Sequence, residues 1–88
     1  MLTREATICN ELGLHARAAA RLVDMANRYE SSIFLSHGSR RVNGKSIMGV
    51  LMLAAAKGSQ ISLEASGADQ DEALEAVANL IADGFGEL

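Results

Sequence analysis

The 88-residue chain has no proline and no tryptophan, a single cysteine, and only three aromatic residues, Tyr29, Phe34 and Phe85. Cys9 stands alone, so no internal disulfide can form, and no Cys or His lies near it at metal-ligand spacing. No metal site and no resident cofactor are therefore expected, and Cys9 reads as a half-buried small side chain of the first strand. Three aromatics offer little for base stacking, and the net charge of −3 also argues against a general nucleic-acid binder. Apolar runs fall short of the roughly 20 residues that cross a bilayer. The opening MLTREATICN carries an acid and lacks the apolar core of a signal peptide. The expectation is a soluble cytoplasmic protein with no membrane insertion.

With 49% apolar residues, the chain suffices for one compact domain over residues 1–88, since a chain of this size buries roughly 60% of its unfolded surface around one core. Charge is unevenly distributed. Residues 1–45 carry seven Lys/Arg against four Asp/Glu, whereas residues 46–88 carry one against seven. An anionic ligand should meet the first half.

Residues 3–9 alternate, with Ala6 and Ile8 on one face and Glu5 and Thr7 on the other, as in a half-buried strand. A turn over residues 10–13 follows. Between residues 16 and 28, Ala18, Leu22, Met25 and Tyr29 recur at helical spacing with Ala19, Val23 and Ala26, while Arg17, Arg21, Asp24 and Arg28 point elsewhere. Two short strands, residues 32–37 and 40–43, form a hairpin about Gly38-Ser39, and His37 reads as a surface residue there. Ser46 is placed to cap a second helix and Gly58 to stop it. Residues 60–66 alternate again, with Ile61, Leu63 and Ala65 inward. Asp69 and Glu72 have capping-box spacing before a last helix whose buried stripe is Leu74, Val77, Ala78, Ile81 and Phe85. The order β-α-β-β-α-β-α predicts an α+β fold, a small sheet covered on one face by helices.

His15 stands where a helix usually places Ser, Thr, Asp or Asn. An imidazole suits that position if the group to be held is an anion attached to the ring, because the free amides and positive dipole of a helix start favour negative charge. A phosphoryl group on a ring nitrogen would lie against the amides of Ala16 and Arg17, with the Arg17 guanidinium available to its oxygens. No metal, base or second nucleophile stands nearby in sequence, which fits a carrier dependent on partner enzymes rather than a stand-alone enzyme. On spacing alone, however, a single His beside an Arg at a helix start is more often a surface histidine than a nucleophile.

Gly13-Leu14-His15-Ala16-Arg17 resembles the active-site motif of the HPr family, the histidine phosphocarriers of the phosphoenolpyruvate-dependent phosphotransferase system. Lys45-Ser46-Ile47-Met48-Gly49-Val50 resembles the family's second signature at the usual distance, and Ala56-Lys57-Gly58 before a strand and an acidic helix matches as well. The resemblance implies an open-faced sandwich, a four-stranded antiparallel sheet in order 1-4-2-3 under three helices. It also implies a relay, in sugar uptake or a regulatory branch. Phosphorylated enzyme I, charged from phosphoenolpyruvate, would transfer a phosphoryl group to Nδ1 of His15, Arg17 would contact it, and an enzyme IIA would receive it from a monomeric carrier.

The same resemblance makes Ala20, Ile47, Met48 and Leu51 a docking surface, with core packing the alternative, above all for Leu51. It makes Ser46, besides a helix cap, a site for an HPr kinase/phosphorylase. One position departs from the family pattern: Ala18 replaces the usual Pro after the Arg, which should tune the geometry of Arg17 without removing a chemical group. Two rival readings remain, an HPr-like regulator that binds without transferring and a ferredoxin-like ligand- or RNA-binding module. The second lacks the aromatic sheet surface that RNA binding favours.

Overall fold

The computed structural model describes residues 1–87. Strands β1 (Leu2–Thr7), β2 (Ser32–His37), β3 (Arg40–Asn43) and β4 (Gln60–Ser66) form one antiparallel sheet in the order β1-β4-β2-β3. Helices α1 (Ala16–Ala26), α2 (Ile47–Met52) and α3 (Gln70–Ala82) complete the expected α+β open-faced sandwich, and a short 3-10 turn, Gly84–Gly86, follows.

Period-two alternation decides which face of the sheet is covered. Ile33, Leu35, Ile61, Leu63 and Ala65 are buried beneath Ala18, Ala19, Leu22, Val23 and Ala26 of α1 and Ala73, Leu74, Val77, Ala78 and Ile81 of α3. Small alanines on both helices pack among the larger side chains, so the chain fills its core without aromatics from the strands. On the open face Arg41 grips Glu64 with two hydrogen bonds of 3.1 and 3.0 Å, and its guanidinium lies 4.0 Å from the Phe34 ring.

Several local expectations are corrected. β1 runs Leu2–Thr7 rather than 3–9, because its ladder with β4 ends at Thr7 opposite Gln60. Cys9, half-buried as expected, therefore lies beyond the strand, its thiol 3.4 Å from the Ile81 carbonyl. α1 stops at Ala26 rather than 28, where the Asn27 backbone and side-chain N–H groups both donate to the Val23 carbonyl at 2.9 Å.

α2 ends at Met52, well before Gly58. Its last carbonyls are taken from outside: His37 Nδ1 bonds Leu53 O at 3.2 Å and the Arg40 guanidinium donates to Met52 O. Leu53 is buried, Ala54 adopts a φ of 50°, and the freed Ala55 carbonyl accepts the Leu14 N–H at 2.9 Å. The early stop thus supports the loop that carries His15, and His37 anchors helix to hairpin rather than simply facing water.

The expected capping box at Asp69 is absent. Asp69 accepts instead from Glu30 N–H and Ser31 N–H, both at 2.9 Å, and from the Ser31 hydroxyl. These bonds, the hydroxyl's first, bring its carboxyl down to about 2. The Gly67 N–H goes to the Gln70 side chain at 3.2 Å. Phe85 is wholly buried but lies off α3: the helix ends at Ala82, and Gly84, Phe85 and Gly86 have φ of 62°, 57° and 76°. Two glycines make that left-handed run affordable, and burial of the ring holds Phe85 in it.

Candidate functional site

His15 is the N-cap of α1, with an extended backbone (φ −76°, ψ 179°), and its carbonyl accepts the Ala19 N–H at 2.8 Å. In place of a hydroxyl or carboxylate, Nδ1 of the ring accepts from the Arg17 N–H at 3.3 Å. The ring is thereby aimed at the open amides of the first turn.

The preceding loop sets this aim. Gly13 has a φ of 65°, and a Cβ built there would lie 2.5 Å from Ala55 O, so only glycine allows the loop to press against the chain leaving α2. Leu14 is sunk into the core with 5% exposure, placing the next residue at the surface. Asn10, wholly buried, closes the loop: its carbonyl accepts Gly13 N–H at 3.2 Å, and its Nδ2 donates to Gly13 O at 2.9 Å.

The second nitrogen of His15 is engaged from the far end of the chain. Nε2 lies 2.7 Å from Oε2 of Glu87, whose Oε1 accepts from Asn10 Nδ2 at 2.9 Å. Glu87 arrives there because Phe85 is buried and the Arg21 guanidinium donates to the Phe85 carbonyl. The Asn10 amide is the largest influence holding the Glu87 carboxyl below its ordinary range. Burial opposes it, and His15 and Arg21 assist. Neither Asn10 nor Glu87 stands out in the sequence, since each is an unremarked polar residue until the fold brings it to His15.

His15, Ala16, Arg17 and Glu87 line a concavity of about 580 Å³ together with Glu11 and Leu12. Glu11 is occupied by Lys57 at 2.6 Å, which draws its carboxyl down. Arg17 and Ala16 are exposed, so the guanidinium can swing over a group on Nδ1. Ala18, third residue of α1, is wholly buried, and its N–H has no acceptor among the described residues. A proline at this position would therefore remove no hydrogen bond.

Beside this concavity lies an apolar surface. Ile47 and Met48 are 46% and 72% exposed, Met52 and Leu12 are also exposed, and a second, shallower depression joins Arg17, Ala20, Arg21 and Ile47. Leu51 sits apart from them, half-buried against the core. Ser46 caps α2, its hydroxyl accepting the Gly49 N–H at 3.1 Å. Among the described residues no cluster of His, Cys, Asp or Glu could hold a metal, and no helix is long and apolar enough to cross a membrane.

Residues 2–83 match the family model for the phosphorylation site of the HPr component of the phosphotransferase system, PTS. A phosphocarrier protein HPr of Cupriavidus necator is 52% identical over 87 residues, 99% of this chain and 98% of the relative. A phosphocarrier protein NPr of Shewanella violacea is 41% identical, over 98% and 94% of the two chains. The crystal structure of HPr-C-His from Thermoanaerobacter tengcongensis superposes with a TM-score of 0.96 at 40% identity, covering 100% of this chain and 99% of that one. A sheet in the order β1-β4-β2-β3, a histidine capping α1 and full-length likeness to phosphocarriers agree with one another, and the chain belongs to the HPr family of the phosphotransferase system.

Proposed function

We propose that the protein relays a phosphoryl group through Nδ1 of His15, taking it from phosphorylated enzyme I, charged from phosphoenolpyruvate, and delivering it to an enzyme IIA. The observation that carries this reading is the placement of Nδ1 at the N-terminus of α1, 3.3 Å from the Arg17 amide. A phosphoryl group bonded there meets the first-turn amides and the positive helix end. The exposed Arg17 guanidinium supplies a charge-assisted contact to its oxygens, and the Ala16 methyl leaves room for it.

The Nδ1 lone pair attacks phosphorus as the bond to the donor breaks, and the reverse events deliver the group onward. Among the described residues the hydrogen-bond partners of the His15 ring are the Arg17 amide and the Glu87 carboxylate, an arrangement that fits a carrier dependent on partner enzymes at both transfers. Every residue of the site comes from one chain, so a monomer suffices for the relay. It acts in the cytoplasm, where phosphoenolpyruvate is available.

Partners dock on the apolar surface around the site, chiefly Ala20, Ile47 and Met48. The flexible thioether of Met48 lets one surface fit enzyme I and enzyme IIA in turn. Leu51 contributes from beneath by holding α2 to the core. Ser46 is a site for regulation by an HPr kinase/phosphorylase, since a phosphate there favours the start of α2 while placing negative charge beside Ile47 and Met48.

The test is incubation with phosphoenolpyruvate and enzyme I, followed by mapping under conditions that preserve acid-labile phosphohistidine. A single phosphohistidine at His15, lost in His15→Ala, is expected. An unlabelled His15 with enzyme I bound at Ile47 and Met48 would favour a regulator that binds without transferring.

A further inference from the structure

We infer that Glu87, held by Asn10, is a positioning residue that keeps the His15 proton on Nε2, leaving the Nδ1 lone pair free for phosphorus, and retains that proton on the ring through both transfers. The inference deepens the phosphocarrier reading and rests on it.

The two contacts of the ring assign its proton. Nδ1 accepts from Arg17 N–H, so it carries no hydrogen there, and Nε2 lies 2.7 Å from a carboxylate oxygen, which can only accept. Glu87 is itself fixed, because its other oxygen accepts from Asn10 Nδ2 at 2.9 Å. The buried Asn10 amide cannot turn over without setting its oxygen against both Gly13 O and Glu87 Oε1. A continuous line therefore runs from Gly13 through Asn10 and Glu87 to the imidazole. The other charged groups around the ring do not compete for Nε2: Glu11 is paired with Lys57, Arg17 and Arg21 are cations, and Arg21 is bonded to the Phe85 carbonyl.

The chemistry needs this arrangement twice. On the way in, the Nδ1 lone pair forms the N–P bond while the donor's bond to phosphorus breaks and its electron pair returns to the donor. The ring keeps its Nε2 proton and becomes a phosphoimidazolium, whose positive charge faces the Glu87 carboxylate. On the way out, the Nδ1–P bond breaks, its electron pair returns to Nδ1, and a neutral imidazole leaves. Were Nε2 to lose its proton between the steps, the ring would have to leave as an imidazolate, a far poorer leaving group. Glu87 spares the relay any proton transfer at either end.

The test compares the parent with Glu87→Ala and Glu87→Gln by 15N-resolved NMR of the His15 ring and by transfer kinetics from enzyme I. In the parent, a slowly exchanging Nε2–H resonance and a lone-pair Nδ1 are expected. Glu87→Ala should lose that resonance, mix the two tautomers and lower kcat on the order of tenfold at unchanged KM, the low end of the cost of removing a carboxylate that orients a histidine. Glu87→Gln, which offers one acceptor oxygen to the two donors Asn10 Nδ2 and His15 Nε2–H and carries no charge, should recover only part of the Nε2–H signal and part of the rate. An alanine variant with the parent's ring spectrum and rate overturns the inference, as does a change confined to KM. Absence of phosphohistidine at His15 in the parent overturns the phosphocarrier reading instead, which separates the two failures.

Discussion

Nε2 of His15 and Oε2 of Glu87 lie 2.7 Å apart although 72 positions separate them in the chain. The contact ties the turn that follows α3 to the start of α1, so the geometry of the ring depends on residues far apart in the sequence.

Arg17→Ala removes the only exposed cation that lines the concavity at His15 among the described residues. Loss of one charge-assisted contact to the phosphoryl group corresponds to about 1.5–3 kcal/mol, or roughly 10–150-fold in kcat/KM for transfer from enzyme I. Stability should be unchanged, since the side chain is exposed. Stopped transfer assays beside urea unfolding check both halves.

Gly13→Ala places a methyl group 2.5 Å from Ala55 O at a φ of 65°. The strained backbone and the clash together should cost about 2–4 kcal/mol, read as a lower urea midpoint. Transfer should fall as well, because the same loop aims His15.

Asp69 makes part of the acid stability depend on one carboxyl. Its folded value, about 2, lies below the ordinary 3.8, so the stability it confers is present above that ordinary value and is lost as pH falls toward 2. Asp69→Asn should lower the melting temperature at pH 6, and the gap to the parent should narrow steadily below pH 4. A gap that stays constant down to pH 2 would mean the charge is irrelevant.

Ser46→Ala deletes the oxygen that accepts Gly49 N–H at the start of α2. A loss of about 1 kcal/mol is expected, as for other helix caps. Ser46→Asp should retain most of the stability yet weaken enzyme I binding, measurable by calorimetry, whereas Ser46→Ala should bind normally.

The strands and the first cap were legible in the sequence because they depend on neighbours. Ile61, Leu63 and Ala65 alternate within β4, and His15 sits at the join between a turn and an amphipathic helix. The misread places depend on distant partners. α2 stops early because Leu14 needs the Ala55 carbonyl and the hairpin residues His37 and Arg40 hold the helix end. Asp69 leaves its own helix for Ser31, 38 positions away, and Phe85 leaves the helical stripe because its ring is buried from a left-handed turn. Asn10 and Glu87 join the site through the same kind of long-range contact, which no local pattern announces.

The most direct measurement of the relay is a pulse–chase: label the protein from phosphoenolpyruvate through enzyme I, remove the donor, and add an enzyme IIA. Label that resides on His15 and then moves to a histidine of enzyme IIA, with none taken up by His15→Ala, is the predicted result. Label that never reaches His15, or that stays there when enzyme IIA is added, would contradict it.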